Sequence, residues 1–312
     1  LECAMTASKP VVTPSIKPTT CELEAEKELQ LSSHTAYRAA AARTNYLSAD
    51  RLDIQFSAKE ICRWMSKPTT ASLEALKRLV RYLRGAPRLV YKYRKQRIEH
   101  VDVYSDTDWA GCPRTRKSTN GGCILLGTHT IKTWSSTQPS ISLSSGEAEF
   151  SGVVKGAGMG LGYQSLLKDL NVSIPVRLWT DSTAAIGICG RQGLGRVRHL
   201  DTHLLWVQQA VRSKRIDLRK VDGEANPADL FTKHPATEEK LKSLVRLYEC
   251  EFRDGRPDAA PLVRDSKGGK DTIGESELQL VQPCMPHVQY RESDLNIPVS
   301  YTHLTLPTNR EV

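Results

Sequence analysis

The 312-residue chain lacks what a membrane protein, a disulfide-stapled protein or a zinc protein would need. No apolar run approaches the roughly 20 residues of a membrane span, and no secretory signal stands at the start. The eight cysteines (positions 3, 21, 62, 112, 123, 189, 250 and 284) stand singly, with no C-x-x-C pair. That spacing argues against zinc and against a disulfide framework, and for a reducing intracellular compartment. Negative charge is in deficit: 35 Asp and Glu face 44 Lys and Arg, a formal charge of +9. A balance of that sign favours polyanionic partners, nucleic acid or an anionic membrane.

Composition divides the chain. Residues 1–33 are rich in Thr, Pro and Lys and then acidic, the pattern of a linker. Helices are expected over HTAYRAAAARTNYL (34–47), RLDIQFSAKEICRWM (51–65) and TASLEALKRLVRYLRG (70–85). In the last, Leu76, Leu79, Val80 and Leu83 fall at i, i+3, i+4 and i+7, and Gly85 stops the helix. Lys77, Arg81 and Arg84 line another face, either a solvated basic face or a stripe along a nucleic-acid backbone. Beyond 253 Gly, Pro, Asp and Lys dominate without periodicity, which implies disorder. The chain opens on Leu1, as a piece of a longer reading frame would. VSYTHLTLPTNREV (299–312) has no link to what precedes it and resembles translated adaptor sequence, so it is expected to be non-native.

Residues 96–252 read as a compact α/β unit preceded by the small helical segment 34–95. Strands are expected over EHVDVYS, GGCILLG and IKTWSS, then a long helix from Ser144 to about Leu170. A strand VRLWT, a short helix from Ser182, a helix over HLDTHLLWVQQAVRSK, a strand RIDLRKV and a helix around NPADLFTK complete the unit, with a last helix over TEEKLKSLVRLYEC. The order β-β-β-α-β-α-α-β-α implies a five-stranded mixed sheet flanked by helices.

Within that unit, DVYSDTDWAGCPRTRKSTNG (102–121) places carboxylates at a strand end, where burial is costly, and follows them with Arg114, Arg116 and Lys117. Asp106 ends the first strand, Glu149 lies in the opening turns of the long helix, Asp181 ends VRLWT and Asp229 begins a late helix. In a mixed sheet such positions can converge. Four unpaired carboxylates in one place repel one another, and a hard cation such as Mg²⁺ or Mn²⁺ relieves the repulsion. Asp106 and Asp108 are two apart and would share a face of the strand, so position alone does not choose between them. Glu147 and Glu149 stand about 200° apart on a helix. Ser144 to Glu147 fits the S-x-x-E capping box, which leaves Glu149 to face the other acids.

Five blocks, YSDTDWAGCPRTRKSTNGG, WSSTQPSISLSSGEAEF, WTDSTAAI, RHLDTHLLWVQ and NPADLFTK, resemble in order and spacing the ribonuclease H domain of copia-type LTR retrotransposon polyproteins. The segment from Tyr37 to Gly85 is similar to the end of the reverse transcriptase of the same elements. The resemblance implies a ribonuclease H-like fold, and position by position it picks Asp106 over Asp108, with Glu149, Asp181 and Asp229 as the remaining metal ligands. It implies hydrolysis of the RNA strand of RNA–DNA hybrids by two divalent ions about 3.5–4 Å apart, with Mg²⁺ or Mn²⁺ as cofactor. The upstream reverse transcriptase region is the implied partner, and a cytoplasmic particle with a nuclear stage the implied setting. Arg114, Arg116, Lys117, Ser182 and the stripe Lys77, Arg81 and Arg84 are the candidate substrate contacts.

The pattern departs from many cellular ribonucleases H in having no histidine in VDGEANPAD, before Asp229. The helix after Glu149 carries GAGMGLG, with Gly156, Gly158, Gly160 and Gly162. At about 1 kcal/mol each this is roughly 4 kcal/mol of lost propensity, so close packing compensates or the helix is frail. His199 and His203 stand at i, i+4 with no third soft ligand, a structural or surface pair. Trp109, Trp134, Trp179 and Trp206 are expected in the core. No Asp-Asp pair occurs, so polymerase activity is not expected. The alternative to an active nuclease is a silent nucleic-acid-binding remnant of the same polyprotein.

Overall fold

The computed structural model describes residues 9–19, 24–195 and 202–255. The tail from 256 onward, with the stretch 299–312, and the side chains of His199 and His203 lie outside the described residues.

The chain begins with three helices, α1 (Leu31–Leu47), α2 (Gln55–Cys62) and α3 (Thr70–Gly85). A helix was expected over 51–65; instead a 3-10 turn, Leu52–Ile54, precedes α2, and the chain turns after Cys62 ahead of Pro68. The start of α3 is fixed by a reciprocal cap: the Ser72 N–H donates to Thr69 Oγ1 (3.2 Å) and the Thr69 N–H to Ser72 Oγ (2.9 Å). Leu76, Leu79 and Tyr82 then fall on its buried face.

Strand β1 (Arg88–Tyr91) follows, then β2 (Val101–Asp108), β3 (Thr119–Leu126) and β4 (His129–Thr137). Helix α4 (Ser145–Asp169), β5 (Val176–Thr180), α5 (Thr183–Gly190), α6 (Trp206–Arg212) and β6 (Ile216–Lys220) come next. The stretch around NPADLFTK forms a 3-10 turn, Pro227–Phe231, and α7 (Glu238–Arg246) and β7 (Cys250–Arg253) end the described fold. The main sheet has the order β4-β3-β2-β5-β6, with β2 antiparallel to β3 and parallel to β5. This five-stranded mixed sheet flanked by helices is the ribonuclease H-like arrangement. Alternation sorts β2: Val101 and Val103 are fully buried under α4, while Tyr104 packs against the opposite core.

Helix α4 lies close on the sheet because three glycines, spaced four apart, face it. A Cβ on Gly152 would come within 2.5 Å of Thr107 Oγ1. One on Gly160 would come within 2.8 Å of Val103 Cγ2 and 2.9 Å of Val176 Cγ1. Gly158 and Gly162 face open space. Packing thus compensates for part of the glycine content, on one face only.

A second sheet pairs β1 with β7 in antiparallel register, Arg88 to Arg253 and Tyr91 to Cys250. Neither strand was expected: the helix expected to reach Cys250 stops at Arg246, and Glu249, at φ +52, swings the chain out into β7. The helical segment and the main sheet share one core. Tyr37, Ile61, Leu76 and Leu79 pack in the same cluster as Leu125, Leu230, Phe231 and Leu241. The second cluster, on the other face of the sheet, joins Val103, Val176 and Leu178 to Phe150, Val153, Ile188 and Val207.

Candidate metal centre

Strands β2 and β5 run parallel from Val101–Val176 to Tyr104–Trp179, their last paired residues. Asp106 and Asp181 each stand two residues further on, where the strands part. In α/β sheets this crevice at the carboxyl ends of neighbouring strands is where ligands bind. The Asp106 side chain is buried, with its residue 2% exposed.

Glu149 arrives from above. Ser144 caps α4 by accepting from the Glu147 N–H (3.2 Å), and Glu147 Oε2 accepts from the Leu143 N–H (2.8 Å). Glu147 is therefore occupied at the helix start, as expected, though on the Leu143 N–H and not on the Ser144 N–H of a full capping box. Glu149 precedes Gly152 by one turn and so sits on the face that the glycines press to the sheet. A buried amide network fixes the depth of that turn. Gln138 Nε2–H donates to Asn120 Oδ1 (2.6 Å) and to the Ala148 carbonyl (2.9 Å), and Thr107 Oγ1–H donates to the same Asn120 oxygen (3.2 Å).

One carboxylate oxygen from each of Asp106, Glu149 and Asp181 lies within 4.8 Å of the other two. Asp108 is outside this group, and a Cβ on Gly111 would collide with its carboxylate. Asp229 is not in this group; it lies beside Asp106, sharing Lys233 with it, on a 3-10 turn that Asn226 ties to β2. The Asn226 side chain is fully buried, donating through Nδ2–H to the Ser105 carbonyl (3.2 Å) and accepting from the Ala228 N–H (3.1 Å). Gly121, opposite Asp106 in the β2–β3 ladder, leaves the room the turn needs: a Cβ there would meet Thr232 Cγ2 at 2.5 Å.

Two further residues of that turn reach the cluster. Thr232 donates its hydroxyl to Asp106 Oδ2. Lys233 Nζ lies 2.7 Å from Asp229 Oδ1 and 3.4 Å from Asp106 Oδ2. Sequence reasoning missed both; the i, i+4 spacing of Asp229 and Lys233 was the available signal.

The electrostatics follow from crowding. Burial, then Asp106 and Asp181, push the Glu149 carboxyl up to about 9. Burial and Asp106 push Asp229 up to about 6, against the pull of Lys233. Burial and Asp106 raise Asp181 as well. For Lys233 burial acts downward, but Asp106 and Asp229 outweigh it and hold the ammonium well above its ordinary value. Glu149 Oε2 is buried and has no hydrogen-bond partner. A buried carboxylate oxygen without a donor is expensive, and a cation among these oxygens would satisfy it. The donors are all hard carboxylate oxygens, so the residues present fit Mg²⁺ or Mn²⁺.

The candidate substrate contacts are dispersed. Arg114 pairs with Glu26 and lies over the Trp64 ring (4.3 Å), so its guanidinium is engaged with the upstream segment. Arg116, at φ +54, is exposed, and Lys117 is half-buried. Ser182 Oγ caps α5, accepting from the Ala185 N–H (3.2 Å). On α3, Lys77 pairs with Glu74 (2.6 Å), Arg81 donates to the Lys9 carbonyl (2.8 Å), and Arg84 is exposed. Of the tryptophans expected in the core, Trp134 is buried, but Trp109 and Trp206 are 47% and 38% exposed. Trp109 donates its N–H to the Ser142 carbonyl (3.0 Å).

No protein-family model matches the chain. Over 232 residues, 73% of the chain, it is 31% identical to the retrovirus-related Pol polyprotein from transposon RE1 of Arabidopsis thaliana and 30% identical to that from transposon RE2. Over most of its length the chain is thus similar to retrovirus-related Pol polyproteins of plant transposons. It spans about a sixth of the length of the two Arabidopsis Pol polyproteins, 16% of each. The Pol polyprotein of the tobacco transposon TNT 1-94 is 25% identical over 237 residues. Among solved structures, LC11-RNase H1, isolated from compost, is 15% identical with a TM-score of 0.32, covering 43% of this chain and 94% of that one. The N-terminal RNase H domain of rv2228c from Mycobacterium tuberculosis is 14% identical with a TM-score of 0.31, covering 47% and 97%.

Proposed function

We propose that this Pol segment cleaves the RNA strand of RNA–DNA hybrids endonucleolytically during reverse transcription, using two divalent ions held by Asp106, Glu149, Asp181 and Asp229. The observation that carries the reading is the convergence of Asp106, Glu149 and Asp181, from three separate elements, on one point with a buried, partnerless Glu149 oxygen. Divalent ions bound there would supply an activated water and offset the charge that develops on the scissile phosphate.

The chain's own residues would divide the work. Asp106, Glu149, Asp181 and Asp229 would hold the ions, and the Thr232 hydroxyl holds Asp106 Oδ2 in place. Selection of the RNA strand would rest on its 2′-hydroxyls, and affinity on phosphate contacts from the exposed Arg116 and the half-buried Lys117 of the same loop, falling with salt. The implied partner is the upstream reverse transcriptase region of the same polyprotein, in an intracellular particle. No helix among the described residues is long and apolar enough to cross a membrane.

The test is cleavage of a labelled RNA strand in an RNA–DNA hybrid by the full chain with Mg²⁺, beside Asp106→Asn. The parent cleaves, and the variant loses more than about 100-fold, beyond the 10–100-fold that loss of an outer partner costs. Hybrid binding by a folded parent without cleavage at any Mg²⁺ or Mn²⁺ concentration would mark the chain as a binding remnant.

A further inference from the structure

Among the described residues, Lys233 is the one cation at ion-pair distance from any of the four acids. Its ammonium bridges Asp229 Oδ1 (2.7 Å) and Asp106 Oδ2 (3.4 Å). Its side chain is 49% exposed, whereas those of Asp106 and Asp229 are 3% and 14% exposed. The carboxylates are therefore fixed and buried, while the ammonium, on a flexible four-carbon stem, has a way out to water. Thr232 precedes it and already holds Asp106 through its own hydroxyl, so the turn does not depend on the ion pair alone for its seat.

We propose that Lys233 is a built-in competitor for divalent ions: it fills the Asp106–Asp229 side of the cluster in the metal-free protein, yields that place when the second ion loads, and then turns its ammonium to the backbone phosphate of the substrate. The inference rests on the metal-site reading above. Charge arithmetic supports the second half. Four ionised carboxylates and two divalent ions cancel, and the displaced ammonium leaves one positive charge, the complement of a single phosphodiester. In the absence of ions the same ammonium relieves part of the carboxylate repulsion, which is why the cluster is tolerated in a folded chain.

The proposal makes loading of the weaker site an exchange of one cation for another. Mn²⁺ titration calorimetry on the full chain, without nucleic acid, tests it directly. Lys233→Met tightens the weaker Mn²⁺ site by on the order of 10-fold, because no resident charge must be expelled, and Lys233→Arg keeps the parent's weaker affinity. With Mn²⁺ saturating and an uncleavable 2′-O-methyl RNA–DNA hybrid, Lys233→Met also lowers the salt slope of binding by about one unit, the signature of one lost phosphate contact. Equal Mn²⁺ affinities in parent and Lys233→Met, with a lowered melting temperature in the variant, overturn the proposal and leave Lys233 a brace for its turn. Mn²⁺ uptake with no change in salt slope overturns its second half. No Mn²⁺ uptake by the folded parent overturns the metal-site reading itself, and this inference with it.

Discussion

Glu149 is the residue at which the acidic cluster shows its cost. Its carboxyl holds a proton up to about pH 9 in the folded, metal-free chain, against about 4.5 in an exposed reference state. The folded state therefore binds more protons than the unfolded one between those values, and stability falls as pH rises through that window. Asp181 and Asp229 shift in the same direction and add to the slope. Glu149→Gln, neutral throughout, should flatten the decline without abolishing it. In EDTA at pH 8 its melting temperature should exceed the parent's by roughly 2–4 °C for each kcal/mol spent in the parent on keeping Glu149 protonated. A scan of melting temperature from pH 5 to 9 checks this, and parallel curves for the two proteins would refute it. Saturating Mg²⁺ should reverse the order, since only the ionised carboxylate is a good ligand.

At the scale of elements, α4 is two helices in one. The face of Gly152, Gly156 and Gly160 is cut to the sheet, while Gly158 and Gly162 touch nothing. Gly158→Ala and Gly162→Ala should each add about 0.5–1 kcal/mol, the ordinary propensity gain. Gly160→Ala should cost about 1–3 kcal/mol, because its methyl group must displace Val103 and Val176 in a packed core. Denaturant midpoints of the three variants separate the faces, and a stable Gly160→Ala would mean that α4 does not lie as close as described. Much of this level was legible in the residues. VRLWT and TASLEALKRLVRYLRG carry their periods and stop signals within themselves, and the observed β5 and α3 have the expected bounds. Illegible were elements that owe their form to distant partners. β1 and β7 are four-residue strands with no alternation of burial that a sequence could show, and they exist because they pair across 160 residues of chain. At the centre itself, the acids were readable from motif spacing and helix geometry. Asn226 was not, and Lys233 only through its i, i+4 spacing from Asp229, since an ammonium or an amide beside a motif looks like any surface residue until the turn that carries it is placed.

Across the whole molecule, the boundary drawn from composition between the helical segment and the sheet crosses a continuous interior. The helices enter the same cluster as Leu230, Phe231 and Leu241, which back the turn carrying Asp229. Loss of that backing would be felt at the acids, though they lie on the other stretch. The connection between the two stretches is another matter: residues 92–100, KYRKQRIEH, form no helix or strand and carry four basic side chains, Lys92, Arg94, Lys95 and Arg97. Trypsin should cut there first among the described residues. The β1–β7 ladder lies outside that loop, with one strand on each side of the cut. A single nick would therefore open the backbone without releasing either piece. Two bands on a denaturing gel should elute together as one species from a sizing column, and the pieces, produced separately, should reconstitute on mixing. Such a chain could be processed by a protease and still travel as one particle, its continuity kept by four residue pairs and a buried seam in place of a peptide bond.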